Sequence, residues 1–410
     1  MKIPTQYQIL LLAMTTFVAG ANEYILAGIL DLVAPGLGAP VSLTGQLITL
    51  YAFVYGLCVP IVIALTSHIG RRTVMITAMT IYGLASLLTL PVSDFWTFIP
   101  VRIIQALSGG TAVVTALSTA ATLAGSQRQG RAIATVIMGF TASLIVAVPI
   151  GREIALRFGW HAVFPLVGLL SLLTALSHRF VLPALSPAAS IPLREQLALV
   201  RRPAVLGGLL VTVLWMAGYV MTYSYLTPYL IEVQHLPGAW ISPVLLVFGM
   251  SSLIGSRLGG SRTDRHGFHS TLTRSKLLQM AFLVALPLAA WLAPAGSLAT
   301  TTLILVLWSI SAWAAGPAQQ VRAAALVPGA QGVLVGLNQS AMQIGIATGT
   351  ALGGIVAQTI GLADLPWLSA TLILLSLALM AILRGRATHS RASVGAGLLA
   401  DGQDTRSPVL

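Results

Sequence analysis

The sequence predicts an all-α membrane protein with twelve transmembrane helices in two six-helix bundles. Three observations carry this. The 410 residues are 56% hydrophobic and only 8% charged, with a mean hydropathy of +0.90, whereas a soluble domain carries roughly 25% charge. Apolar runs of about 20 residues, long enough for the ~30 Å hydrocarbon layer, recur twelve times. A short basic hairpin also occurs twice, as His68-Ile-Gly-Arg-Arg72 and, roughly 200 residues later, as Asp264-Arg-His-Gly-Phe268. Each copy follows the second run of its half, which is the pattern of a duplicated bundle and of transporters built from repeats.

The first run, 9–30, starts like a secretory signal, with Lys2, an apolar core to Val18 and the small triplet Ala19-Gly20-Ala21. The apolar stretch continues past Asn22 and Glu23 to Leu32 and eleven more runs follow, so it reads as the first span. Runs 43–65 and 74–91 flank the first hairpin, and 96–119, 133–155 and 162–182 complete the first bundle (1–182). Residues 183–203 are polar and marked by Pro183, Pro187 and Pro192, and read as a cytoplasmic linker. The second bundle (204–384) takes runs 204–229, 241–258, 276–293, 299–320, 332–357 and 366–384. Residues 385–410, rich in Gly, Ser and Arg, predict a disordered tail. The single cysteine, Cys58, excludes an internal disulfide and reads as a packing residue.

A net charge of +12 in a soluble chain would suggest nucleic acid. Its distribution argues otherwise. Arg71, Arg72, Arg128, Arg131, Arg194, Arg201, Arg202, Arg257, Arg262, Arg265, Arg274, Lys276, Arg322, Arg384, Arg386, Arg391 and Arg406 all fall on one side if the spans alternate. The other side holds Asp31, Asp94, Glu232 and Asp364, with only Arg157 basic. The positive-inside rule then places both termini in the cytoplasm, and no nucleic-acid partner is expected.

Spans five and eleven close on related turns, Val148-Pro-Ile-Gly151 and Ala351-Leu-Gly-Gly354, and both are dense in small residues (Gly139, Ala142, Ser143; Gly345, Ala347, Gly349). Small residues permit close helix approach in lipid. They suit either tight packing within a bundle or rocking of one bundle against the other.

The chain resembles the major facilitator superfamily, in its twelve-span drug:proton antiporter branch. Thr44-Gly-Gln-Leu-Ile-Thr-Leu-Tyr-Ala52 and Phe17-Val-Ala-Gly-Ala-Asn-Glu-Tyr-Ile25 look like bacterial sugar-, chloramphenicol- and purine-efflux members. Ile191-Pro-Leu-Arg-Glu-Gln-Leu197, Gly316-Pro-Ala-Gln-Gln320 and Asn338-Gln-Ser-Ala-Met-Gln-Ile-Gly345 are most similar to purine pumps. Three positions depart from the family pattern: Ser67-His68 where Asp and Arg are usual, Arg152 where the antiporter signature has a small residue, and Leu30-Asp31 where relatives have Leu-Pro. The resemblance implies a monomeric secondary transporter of the bacterial inner membrane, surrounded by lipid, exporting a small organic molecule against protons with no cofactor. Gating falls on the hairpins through His68, Arg71, Arg72, Asp264 and Arg265.

Charges inside spans are costly and invite a functional reading. Glu23 in span one and Arg102 in span four sit at similar depth, and Arg102 with Gln105 matches family positions tied to proton coupling and substrate. A buried carboxyl near an arginine is poised between protonated and ionised forms, so an arriving substrate can expel its proton; a fixed structural Glu23–Arg102 pair is the alternative. Asp31 is a further coupling candidate. Glu153 and Arg157 have i,i+4 spacing, and Arg152 is expected to snorkel outward, or else to face substrate. For recognition, Trp215, Tyr219 and Tyr223 share one helix face, opposite the amides Asn338, Gln339 and Gln343, an arrangement suited to a flat hydrogen-bonding molecule. Span ten carries Trp308, Trp313, Gln319 and Gln320, while Tyr225 and Tyr229 suit the interfacial belt.

Asp264, His266 and His269 sit among arginines that oppose a cation, so no metal site is expected. Neither a catalytic constellation nor an ATP-binding loop stands out, which argues against an enzyme and leaves an ion or substrate gradient as the energy source. Uptake by the same fold, and a non-transporting substrate sensor favoured by Ser67, are the alternatives.

Overall fold

The computed structural model describes residues 4–125, 129–184, 193–292, 298–327 and 331–401. Its elements are α1 (Thr5–Gly28), α2 (Leu30–Gly36), α3 (Val41–Leu65), α4 (Arg71–Leu87), α5 (Phe95–Ala124), α6 (Gln129–Phe158) and α7 (Val163–Val181) in the first half. A short α8 (Leu193–Val200) leads to α9 (Pro203–Tyr223), α10 (Leu226–Glu232), α11 (Gly238–Leu292), α12 (Leu298–Ala324), α13 (Gln331–Thr359) and α14 (Leu365–Asp401).

Ten of the described helices are long and apolar enough to cross a membrane. One of them, the 55-residue α11, turns at Gly267 (φ 76°, ψ 159°) inside the second hairpin and supplies two spans. With the 17-residue α4, the total is the expected twelve. Apolar side chains cover the outside: Leu169, Leu173, Leu176 and Phe180, spaced three or four apart on α7, are all exposed. Such a stripe is stable only against lipid.

The duplication extends to places where the sequence pattern is silent. Span one breaks after α1, and the seven-residue α2 follows; span seven breaks after α9, and the seven-residue α10 follows. Gly159 (φ 82°) ends α6 before a 3₁₀ turn at Trp160–Ala162, and Gly361 (φ 133°) precedes the matching turn at Leu362–Asp364. Only glycine adopts such φ values without strain. Asp94 caps α5, its Oδ1 accepting from the backbone N–H of Thr97 (3.0 Å) and Trp96 (2.9 Å). These bonds hold its carboxyl below the usual carboxylate range.

Small residues pack chiefly within each half. A Cβ at Gly139 of α6 would overlap the Ala13 carbonyl of α1, and one at Gly349 of α13 would overlap that of Ala217 on α9. Between the halves, α3 packs on α13 and α6 on α11. At the end away from Thr5, α2 packs on α10. There the Thr227 hydroxyl donates to the carbonyls of Gly28 (3.3 Å) and Ala27 (3.4 Å), and the Tyr225 hydroxyl to those of Thr350 (3.2 Å) and Ser42 (3.4 Å). This seam closes one end of the space between the bundles.

One expectation is corrected. Tyr225 and Tyr229 are fully buried rather than belted at an interface, because the chain breaks before α10 and folds it into the seam. The backbone of 385–401 continues α14 as helix. Of the linker, 185–192 lie outside the described residues, as do Arg128 and Arg406.

Candidate functional site

Between the halves lies a cavity walled by α1 (Glu23, Tyr24), α6 (Phe140), α9 (Trp215, Tyr219, Tyr223), α12 (Trp313) and α13 (Gln339, Gln343). Six of its 18 lining residues are aromatic. Tyr219 stacks on Tyr223 with centroids 5.5 Å apart and planes at 10°, and Tyr223 continues the stack to Phe248 at 5.9 Å. Tyr24 meets Tyr223 edge-on at 6.2 Å. Two indoles are oriented by hydrogen bonds: Trp313 Nε1 donates to the Tyr219 hydroxyl (3.2 Å) and Trp215 Nε1 to Gln279 Oε1 (3.1 Å). Glu23 is the one ionisable carboxyl in the wall, and the only buried acidic residue among those described. Gln343 Nε2 reaches it from the opposite half, donating to Oε1 at 3.3 Å.

Six of the expected binding residues therefore meet in one place: Glu23, Trp215, Tyr219, Tyr223, Gln339 and Gln343. Three do not. Asn338 points 100° away from Gln339 around α13, accepting from the Thr212 hydroxyl (2.6 Å) and donating to Gln320 Oε1 (3.2 Å). Arg102 and Gln105 lie behind the cavity wall, and neither lines it. Arg102 is fully buried; its Nη1 donates to Asn22 Oδ1 (2.6 Å) and Gln105 Oε1 (3.2 Å), and its guanidinium sits 4.7 Å from the Tyr51 ring centroid. Gln105 Nε2 passes the network on to Ser86 Oγ at 3.3 Å. Glu23 and Arg102 form no ion pair: Arg102 turns Nη1 to Asn22 and Gln105, and Glu23 turns Oε1 to Gln343. Asn22, Tyr24 and Phe140 escaped the sequence reading; the polar pair Asn22-Glu23 inside an apolar run was the available signal.

Arg152 does not snorkel. It is buried, and its guanidinium grips both oxygens of Asp31, at 2.7 and 2.9 Å, while Nη1 also donates to Gly28 O at 3.1 Å. Glu153 and Arg157 form the exposed i,i+4 pair, at 4.0 Å. In the first hairpin, Arg71 Nη1 donates to Ser118 O (2.8 Å) and Arg72 Nη1 to Leu182 O (3.2 Å), both within their own bundle. His68, Asp264 and Arg265 are exposed. Among the described residues, no group of three His, Cys, Asp or Glu could hold a metal.

The family model described as Major Facilitator Superfamily matches residues 12–350. The chain is 40% identical over 371 residues to the "Uncharacterized MFS-type transporter YbcL" of Bacillus subtilis (strain 168), covering 90% of this chain and 94% of that one. It is 29% identical to the "Inner membrane transport protein YdhP" of Escherichia coli (strain K12), covering 93% and 96%. To the "Probable sugar efflux transporter" of Pasteurella multocida (strain Pm70) it is 28% identical, covering 93% of each. In fold it is similar to a bacterial homolog of the human lysosomal transporter Spinster, solved in an inward-facing, unoccupied conformation, with TM-score 0.66, 16% identity and coverage of 92% and 95%.

Proposed function

The chain belongs to the major facilitator superfamily, whose members are membrane transporters and not enzymes, and from that premise we propose that it exports a small flat organic molecule in exchange for protons. The observation that carries this reading is Glu23, the lone acid in an aromatic cavity, with amides of α13 across from it. Stacked rings favour planar ligands, the amides supply donors and acceptors, and an acid without a basic partner in the wall disfavours anions. A purine-like base fits this chemistry. Substrate and proton compete for Glu23, and the two bundles rock to expose it to either side. The α2–α10 seam closes one end, as expected of an inward-facing carrier with cytoplasmic termini in a bacterial inner membrane.

A sugar is the second reading, favoured by the name of the Pasteurella relative. Both are tested by reconstituting the protein in vesicles with an acidic interior and offering labelled adenine or labelled glucose. Adenine should accumulate, and a protonophore should collapse the gradient. Glucose accumulation without adenine would establish the sugar reading, and no flux of either solute would favour a sensor.

The gate is asymmetric in this proposal. Asp264 has no counterpart in the first hairpin, where Ser67 stands, and it is exposed, free to pair across the bundles when the basic end closes. Asp264→Asn should lower adenine flux far more than Ser67→Ala at equal membrane abundance. Equal effects would refute the asymmetry.

A further inference from the structure

We propose that Glu23 exchanges its proton through a polar chamber formed by Tyr51, Tyr55 and Arg102, separate from the substrate cavity. This rests on the proton-coupled reading above. Glu23 has two faces. Oε1 is held by Gln343 on the cavity side, while Oε2 is buried with no protein partner. Near it, the Tyr55 hydroxyl and the Arg102 Nε and Nη2 atoms are likewise buried and unpartnered, and the Tyr51 hydroxyl lies beside that of Tyr82. All three residues interact electrostatically with Glu23, and none of them lines the cavity.

Buried polar atoms nearly always find partners. A concentration of unpartnered ones around a single carboxyl is therefore the signature of a site that holds water. Tyr51 and Tyr55 are one turn apart on α3 and share a face. Glycines of α5 make room for both: a Cβ at Gly109 would come within 3.1 Å of the Tyr51 hydroxyl, and one at Gly110 within 2.9 Å of the Tyr55 ring. The Tyr82 hydroxyl beside them is engaged with Ala19 O at 3.2 Å. The remaining titratable groups around Glu23 are Tyr24 on its own helix and Tyr219 and Tyr223 on α9, and these face the cavity.

The proton leaves Glu23 Oε2 for chamber water. Each tyrosine hydroxyl then accepts one proton and donates its own, so one proton moves and neither tyrosine changes charge. The guanidinium of Arg102 offsets the carboxylate that remains. Tyr55 lies one turn nearer the basic hairpins than Tyr51, so the chamber leads toward that end. Substrate and proton thus reach the same carboxyl from opposite sides.

Time-resolved infrared spectroscopy after a pH jump tests this on the full-length protein without any substrate. The Glu23 band is the one that Glu23→Gln removes. Tyr51→Phe and Tyr55→Phe should each slow its protonation about tenfold or more, as for loss of a positioned proton-transfer group, with unchanged amplitude. Tyr229→Phe, a buried tyrosine outside the chamber, should not. Unaltered rates in both chamber variants, equal slowing by Tyr229→Phe, or no Glu23 response in the wild type would overturn the proposal. The transport reading is judged separately, by adenine flux, so either can fail while the other stands.

Discussion

Glu23→Gln is expected to abolish adenine accumulation driven by a pH gradient while sparing counterflow exchange. Gln preserves the volume and can still bond to Gln343, so the cavity keeps its shape; what it loses is the ability to titrate. Exchange of labelled for unlabelled adenine needs no net proton movement and should persist within a few-fold. Gradient-driven accumulation should fall by roughly tenfold or more, the range of ordinary coupling free energies between linked ligands. A Glu23→Gln protein that still concentrates adenine in response to an acidic interior would end the assignment. The role could not then pass easily to another acid. Asp31 is committed to Arg152 through both oxygens, and Glu153 is an exposed partner of Arg157.

The fold was legible because membrane insertion leaves coarse marks: twelve apolar runs, one-sided arginines and a hairpin written twice. The breaks at Ile29 and Tyr225 were not, since the apolar pattern runs through them and only tertiary packing of α2 on α10 turns the chain there. Within the site, residues one turn apart on α9 could be grouped correctly, because helical periodicity fixes a shared face. Partners across helices could not. Arg102 and Glu23 match in depth, but depth leaves rotation about each helix axis undetermined, and the neighbouring Asn22 proved to be the residue turned toward Arg102. The same limit hid Tyr51 and Tyr55, whose four-residue spacing was visible but whose common neighbour Glu23 was not.

Arg152 supplies the second large expected effect, on stability and on closure of the seam. Removing one member of a buried ion pair strands the other, at about 3–5 kcal/mol. Asp31 keeps 17% of its side-chain exposure, so Arg152→Met should fall near the lower end of that range. The loss reaches further than the pair. Gly28 O accepts from Arg152 in its own bundle and from Thr227 in the other, so the guanidinium fixes the last turn of α1 at the point where the bundles meet. Without it, the α1–α2 break loosens and the seam should open more readily, which crosslinking of cysteines introduced on α2 and α10 would register as a lower yield. Asp31→Asn in the Arg152→Met background removes the stranded charge and should recover part of the lost stability, a coupling that a double-mutant cycle in denaturant titrations measures directly. If Arg152→Met unfolds within about 0.5 kcal/mol of the parent protein, as an ordinary surface substitution does, the pair contributes no such anchor. The seam would then rest on the packing of α2 against α10 and on the hydroxyls of Thr227 and Tyr225.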